Sequence, residues 1–357
     1  MNLAFALFEY FPYGGLQRDM FAMAEEALAR GHQVTLFTRQ WQGPVPDGAE
    51  LRPLPVTGAS NHARDAAFAA AVARQWQGFD RRVGFNKMPG LDWYYAADGC
   101  LAARYRGLKT LLPRYRNKLA MERSVFDSAA HTRILSISPP QRALYQHHYG
   151  TADGRFVDLP PGIRRDRGQP DDVLARRAAL RQQLGLDERT PVLLFVGSGF
   201  RTKGLDRAIG ALTQLPEAHF YVVGADRPDR YRRQAAKLGV AERVHFMGGQ
   251  DNVPDWLFAA DVLLHPAYAE NTGTVLLEAA IAGLPVLTTE VCGYAPYIEQ
   301  GAIGTVLGEA DAAAVAAATR RLLAVPREQW RAAGRRFAAE AAIYDLVPRA
   351  VDALEQA

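Results

Sequence analysis

A proline- and glycine-rich break, LPPGIRRDRGQPD at Leu159–Asp171, constrains this chain more than any other feature, because similar local patterns begin afresh beyond it. Its three prolines and two glycines interrupt both helical and strand periods, as a linker between domains does. Before the break, the apolar run Asn2–Phe8 leads through the turn Pro12-Tyr13-Gly14-Gly15 to an amphipathic helix over Gln17–Ala29, which ends at Gly31, and then to a strand at Gln33–Phe37. After it come a helix at Asp172–Leu184, a strand at Pro191–Val196, a glycine turn, a helix at Gly204–Leu212 and a strand at His219–Val223. A strand, helix and strand in that order form a right-handed crossover, and ligands of such sheets gather at the carboxyl ends of strands. The pattern therefore predicts an α/β chain of two facing, doubly wound, Rossmann-like domains with a ligand crevice between them. The expected divisions are 1–165, 166–340, and a C-terminal helix in 341–357 able to pack back on the first domain.

Bulk properties narrow the partners. A chain of 357 residues exceeds what one core usually supports, and a 48% apolar share fits a globular protein. The formal net charge of +4 is too small to demand nucleic acid but suits an anionic ligand or surface. Only Cys100 and Cys292 are present, so neither a disulfide framework nor a clustered metal site is indicated. The N-terminus lacks a basic region and reaches Glu9 and Pro12 too soon for a signal peptide. No apolar run is long enough to span a bilayer, so membrane contact is expected to be peripheral.

In the second half, HPAYAENTGTVLLEAAIAG at His265–Gly283 reads as a loop feeding a helix, with Glu270 and Glu278 bracketing the polar turn Asn271-Thr272-Gly273. Amides at a helix start, with no Cβ at Gly273, favour an anion such as a diphosphate. An ordinary capped helix with two solvated glutamates is the competing reading. VGSGFRTKGLD places Lys203 between a strand and a helix, where it can meet a phosphate, with Arg201 two residues earlier. Asp206 complements the first turn of that helix. The strand His245–Met247 runs into Gly248-Gly249-Gln250-Asp251, whose backbone can read a nucleobase edge.

In the first half, Gly14-Gly15 sits at the ligand edge, and Asp19 is placed in the first turn of the following helix. GFNKMPGLDWYYAAD, residues 84–98, reads as a long polar loop in which Asn86, Lys87, Asp92 and Asp98 either line an acceptor cleft or cap a surface loop. The basic surplus lies in 101–127. There Arg104, Arg106, Lys109, Arg114, Arg116, Lys118 and Arg123 face only Glu122 and Asp127, seven cations against two carboxylates. Tyr105, Leu108, Leu111, Leu112, Tyr115 and Leu119 interleave with them, a composition suited to the headgroup interface of an anionic membrane. Pro113 divides the segment into two short pieces. A solvated surface and nucleic acid are the rivals, and no nucleic-acid-binding motif accompanies the patch.

These motifs carry a resemblance. Lys203-Gly204, Glu270 through Glu278, and GLPV at Gly283–Val286 are similar to the C-terminal domain of retaining family-4 glycosyltransferases of GT-B fold. FPYGGLQRD, GFNKMPGLD, LPPGI, LLHPAY, LLEA, AGLPVLTT and VCGY together resemble the lipopolysaccharide core glucosyltransferases of Gram-negative bacteria. The resemblance implies an N-terminal acceptor domain and a C-terminal nucleotide-sugar domain. It implies transfer of glucose from UDP-glucose, with retention, to a heptose of the lipopolysaccharide inner core at the cytoplasmic face of the inner membrane. By the same route Gly14 and Gly15 lie beside the donor diphosphate, Asp19 near the reacting sugar or acceptor, and Lys203 on the phosphates. Glu270 holds the glucose hydroxyls, Glu278 the ribose, Arg167 is the hinge arginine and Asp98 the acidic position of the N-terminal cleft. Asn271, Thr272 and Gly273 contribute donor-binding amides, 101–127 is the membrane-interacting region, and neither a metal nor a cofactor is implied. Two departures stand out. Thr202 rather than arginine precedes Lys203, so Arg201 must reach the phosphate from one residue further away, and Asn271-Thr272 replaces the small residues usual after the first glutamate. Alternatives left by the sequence are a GT-B enzyme with another donor sugar or lipid-linked acceptor, and a twin-Rossmann sugar-nucleotide epimerase.

Overall fold

Strand β1 (Asn2–Ala6) is buried along nearly its whole length, as a central strand of a parallel sheet covered on both faces must be. The computed structural model describes residues 1–12, 14–105 and 107–356, with every side chain among them except that of Lys109. The expectations placed on Tyr13, on Arg106 and on the Lys109 side chain lie outside the described residues.

The chain forms two compact units, Met1–Gly162 with Asp345–Ala357, and Ile163–Tyr344. In the first, β1 is joined by β2 (Glu9–Tyr10), β3 (Gln33–Thr38), β4 (Gln40–Trp41), β5 (Glu50–Pro53), β6 (Arg81–Gly84), β7 (Trp93–Tyr95), β8 (Arg133–Ser136) and β9 (Phe156–Asp158). Seven of these make one parallel sheet in the order β5-β3-β1-β6-β7-β8-β9, and β2 pairs with β4 separately. The helices are α1 (Gly15–Ala29), α2 (Asn61–Ala73), α3 (Leu101–Arg104), α4 (Pro113–Phe126) and α5 (Pro139–Tyr149). The residues expected to form one long loop at 84–98 contain β7, whose Trp93, Tyr94 and Tyr95 are all buried. Two aspartates and a Pro-Gly turn around it hide a three-residue strand from pattern reading. Pro113 stands in the first turn of α4, where its missing N–H costs nothing.

The second unit holds α6 (Val173–Gln183), β10 (Val192–Val196), α7 (Leu205–Ala211), β11 (His219–Val223), α8 (Asp229–Lys237), β12 (Val244–Gly248), α9 (Val253–Ala259), β13 (Val262–His265), α10 (Thr274–Ile281), β14 (Val286–Thr289), α11 (Ala295–Gln300), β15 (Gly304–Leu307), α12 (Ala312–Leu323) and α13 (Arg327–Glu340). Its six strands are parallel, in the order β12-β11-β10-β13-β14-β15. In each sheet the winding direction reverses beside the first strand, between β1 and β6 and between β10 and β13, and a doubly wound fold binds its ligand at such a point.

The chain passes between units at Gly162–Ile163 and returns at Tyr344–Asp345, earlier than the expected division at 165 and 166. Ile163 N–H donates to the Ile343 carbonyl at 2.8 Å, and both side chains belong to the second unit's core. Leu346, by contrast, packs in the core of the first. The last helix, α14 (Leu346–Glu355), lies on α1. Arg30 pairs with Asp352 at 2.7 Å and Glu355 at 3.1 Å, and the Arg81 Nε donates to the Leu354 carbonyl.

At the amino ends of β10 and β13, three arginines surround one carboxylate. Asp261 receives Arg177 at 3.0 Å, Arg327 at 2.7 Å, Arg181 at 3.4 Å and the Val192 N–H at 2.8 Å. The same guanidiniums donate to the Phe258, Ala259 and Ala260 carbonyls at the end of α9, where cations offset the helix dipole. Burial, with Arg177 beside it, pulls Arg327 down to about 10. Removing Asp261 leaves Glu188, paired with Arg177 at 3.2 Å, as the remaining carboxylate partner of the three guanidiniums among the described residues, so Asp261→Ala should lower stability by about 3–5 kcal/mol. Chemical denaturation checks this, and a loss below about 1 kcal/mol contradicts it.

Candidate functional site

The loop after β10 and the loop after β13 leave neighbouring strands and meet. Gly204 caps α7 with φ 74°, and a Cβ there would strike the Pro266 carbonyl, so only glycine admits so close an approach. The Thr202 carbonyl accepts the N–H groups of Tyr268 at 2.8 Å and Ala269 at 3.2 Å, stitching the loops together. Arg207 adds hydrogen bonds to the Pro266 and Ala267 carbonyls, and its guanidinium lies 3.6 Å from the Tyr268 ring centre. This stitching brings Lys203 and Glu270 into a direct ion pair.

Glu270 is held from three sides. Lys203 Nζ and His265 Nε2 share its Oε2, the latter at 3.3 Å, while Oε1 accepts the Asn271 N–H at 3.1 Å. Burial raises the carboxyl, but the His265 hydrogen bond and the Lys203 charge outweigh it and hold Glu270 at about 2. His265 is wholly buried at the end of β13. Burial lowers its pKa against the opposing pull of Glu270, and its Nε2 faces the Glu270 carboxylate. Sequence reasoning assigns His265 no role; its one signal is its place on the last residue of a strand at the winding reversal.

Helix α10 starts at Thr274 with Gly273 in the left-handed region at φ 85°, so Asn271, Thr272 and Gly273 precede the first turn instead of forming it. The Asn271 amide serves Glu270 and the Leu276 N–H turns to the Gly273 carbonyl, which corrects the expectation of wholly open amides. Thr272 is tied through its carbonyl to the Tyr294 N–H. Glu278 lies half-buried within α10. Arg201 is exposed at the loop tip, whereas Asp206 stays in the first turn of α7 and accepts the Tyr268 hydroxyl at 2.9 Å. Arg167 sits in a 3-10 turn at Arg165–Arg167, half-buried, with its Nε unpaired among the described residues.

In the first unit, Gly14 caps α1 and Gly15 is its first residue. A Cβ at Gly14 would collide with Gln17 and Phe11, whereas one at Gly15 would meet no atom within 4 Å. Asp19 falls beyond the first turn of α1, contrary to expectation, since that helix begins at Gly15. Its carboxylate accepts the Tyr95 hydroxyl at 2.7 Å, and burial pushes its pKa up. The four residues expected along an acceptor cleft separate. Asn86 Oδ1 accepts the Phe8 N–H at 2.7 Å, and Asp92 binds both the Arg82 N–H and its guanidinium. Lys87 is buried against a fully buried Glu122 at 2.6 Å. Only Asp98 of the four is exposed.

Glu122 is thus no surface counter-charge to the basic segment. Arg104, Arg114, Arg116 and Lys118 are exposed, and between them the 3-10 turn Gly107–Leu111 and Leu112 present Leu108, Leu111 and Leu112, at 84%, 67% and 52% exposure. Among the described residues, no group of three metal-ligating side chains is assembled and no helix is long and apolar enough to cross a membrane.

Family models match both halves: Glycosyltransferase Family 4 over residues 13–167 and Glycosyl transferases group 1 over 176–337. The lipopolysaccharide glucosyltransferase WaaG of Escherichia coli K12 is 47% identical over 320 residues, 87% of this chain and 86% of that protein. The crystal structure of WaaG, a glycosyltransferase involved in lipopolysaccharide biosynthesis, superposes with a TM-score of 0.90 at 41% identity, covering 99% of this chain and 100% of the other. Anabaena Alr3699/HepE in complex with UDP and glucose shares the fold, with a TM-score of 0.77 at 18% identity and full coverage of both chains.

The Glu270 environment has a readable consequence. Its folded value of about 2 lies below the ordinary 4.5, so its charge supports the folded state above about pH 4.5 and that support is lost as pH falls towards 2. Carboxyl NMR titration should give a Glu270 midpoint near 2, and Lys203→Ala should move it upward. An unmoved midpoint contradicts the described coupling.

Proposed function

This chain belongs to the family-4 glycosyltransferases of GT-B fold, and from that membership we propose that it transfers glucose from UDP-glucose to a heptose of the lipopolysaccharide inner core. The observation that carries the reading is the Lys203–Glu270 pair at the winding reversal of the second sheet, a cation and an anion suited to the two ends of a sugar diphosphate.

In the proposed reaction the bond between the anomeric carbon and the diphosphate oxygen breaks, and its electron pair leaves with UDP. The acceptor oxygen bonds to the same face, which retains configuration. Because entering and leaving oxygens share that face, the departing phosphate oxygen is placed to take the acceptor proton. Charge grows on the diphosphate, and stabilising it is where the enzyme gains most. Lys203 serves that charge, assisted by Arg201, Arg167 and the amides that open α10, with Gly15 leaving room for phosphate at the start of α1 and Gly14 capping that helix. Once Lys203 turns to phosphate, Glu270 is released to the glucose hydroxyls with His265 still holding it. Glu278 takes the ribose; Asp19 and Asp98 serve the acceptor side. The scheme calls for no metal or cofactor.

The exposed leucines among exposed arginines support docking of 101–127 on an anionic membrane, apolar groups inserted shallowly and each cation contributing about 1 kcal/mol. The enzyme would then work peripherally at the cytoplasmic face of the inner membrane, where a lipid-anchored acceptor is presented. Nucleic acid has no part in this reading.

Two experiments test it. Lys203→Ala and Glu270→Ala should each reduce transfer by about two orders of magnitude or more, as loss of one charge-stabilising group does; near-normal turnover in either refutes the assignment. Flotation with anionic liposomes should be lost when Arg104, Arg114 and Arg116 are neutralised together and should weaken with salt. Unchanged flotation refutes the membrane reading.

A further inference from the structure

The buried Lys87–Glu122 pair holds the backbone of Gly99, Leu101 and Ala102, and Tyr145 and Gln141 hold that of Asp98 and Cys100 between and beside them. Glu122, on α4, is 0% exposed, and its carboxylate accepts the Leu101 N–H at 2.8 Å, the Ala102 N–H at 2.9 Å, the Tyr149 hydroxyl at 2.7 Å and Lys87 Nζ at 2.6 Å. Lys87 Nζ also donates to the Gly99 carbonyl at 2.8 Å. From α5, the Tyr145 hydroxyl donates to the Asp98 carbonyl at 2.6 Å, and Gln141 Oε1 accepts the Cys100 N–H at 2.8 Å. Every residue from Asp98 to Ala102 is therefore fixed by a side chain reaching up from beneath.

The two ends of this fixed stretch differ in kind. At one end is the exposed Asp98; the other opens into α3 and the leucines of 107–112. Burying an ammonium and a carboxylate costs desolvation that apolar residues of similar size would avoid, so the pair is a poor way to gain stability alone. It is a good way to fix geometry, because its hydrogen bonds are directional and charge-assisted.

We propose that Glu122 and Lys87 are positioning residues that tie the Asp98 turn to the leucine-bearing segment, so that docking of that segment on an anionic surface sets the acceptor side of the site. This rests on the roles given above to Asp98 and to 101–127. Glu122→Gln keeps the shape of the side chain but removes its charge, and Tyr149→Phe, a milder change, removes one donor. The tether is read directly by amide hydrogen exchange. In either variant residues 98–102 should exchange faster, as should the 107–112 turn, while 197–204 of the second unit stays unchanged. Exchange at 98–102 equal to wild type overturns the proposal.

The coupling is read by transfer kinetics with truncated core lipopolysaccharide, with and without vesicles containing phosphatidylglycerol. Vesicles should lower the wild-type acceptor KM. Glu122→Gln should float as wild type does yet lose this response, its acceptor KM rising by up to about a hundredfold at unchanged donor KM. A retained vesicle response, or a fall in kcat alone, overturns the coupling. Wild-type protein that neither floats nor responds to vesicles would instead remove the membrane reading, with the exchange experiment still deciding the tether.

Discussion

A single ion pair between side chains 67 residues apart depends on the rest of the second unit. Lys203 follows β10 and Glu270 follows β13, and only a sheet that places these strands side by side, both pointing the same way, brings the two loops to one edge. Glycine at 204 then allows the backbones to close, and the Thr202 carbonyl locks them. The buried His265 completes the arrangement by giving the Glu270 carboxylate a second partner from the end of β13. The pair is therefore preorganised by the sheet and by the loop contacts around it, with Glu270 also held by His265 and the Asn271 N–H.

The first unit spends its charges differently. Lys87 and Glu122 turn inward to backbone amides, a backbone carbonyl and one another, while Asp92, half-buried, binds the Arg82 N–H and guanidinium. What remains exposed along 101–127 is cationic and leucine-rich, which makes the outer face of that segment more basic than its composition suggests. The α14 helix returns to this unit through Arg30, Asp352 and Glu355, so the two ends of the chain belong to one body.

Much of this is readable from sequence. Short apolar runs, glycine turns and amphipathic helices have local periods, so the two crossover units stand out, as do Lys203 and Glu270 at the loops that follow strands. The exposed leucines beside arginines are likewise visible as a composition. What escapes is non-local. Lys87 and Glu122 are 35 residues apart and carry no mark of mutual burial, so each reads as a surface charge. Strand β7 is too short to show a period, and Tyr95 gains its meaning only when it meets Asp19 across 76 residues. The passage between units lies at Gly162–Ile163, where Ile163, bonded through its N–H to the Ile343 carbonyl, already packs in the second core, a non-local contact that proline content does not reveal.

The most direct test of the account is to supply UDP-glucose carrying carbon-13 at the anomeric position together with truncated core lipopolysaccharide and to follow both by NMR. The account requires UDP release matched by a new glycosidic bond on a heptose, with the configuration of the donor kept. An inverted linkage, or an isomerised UDP-sugar formed without acceptor, would contradict it.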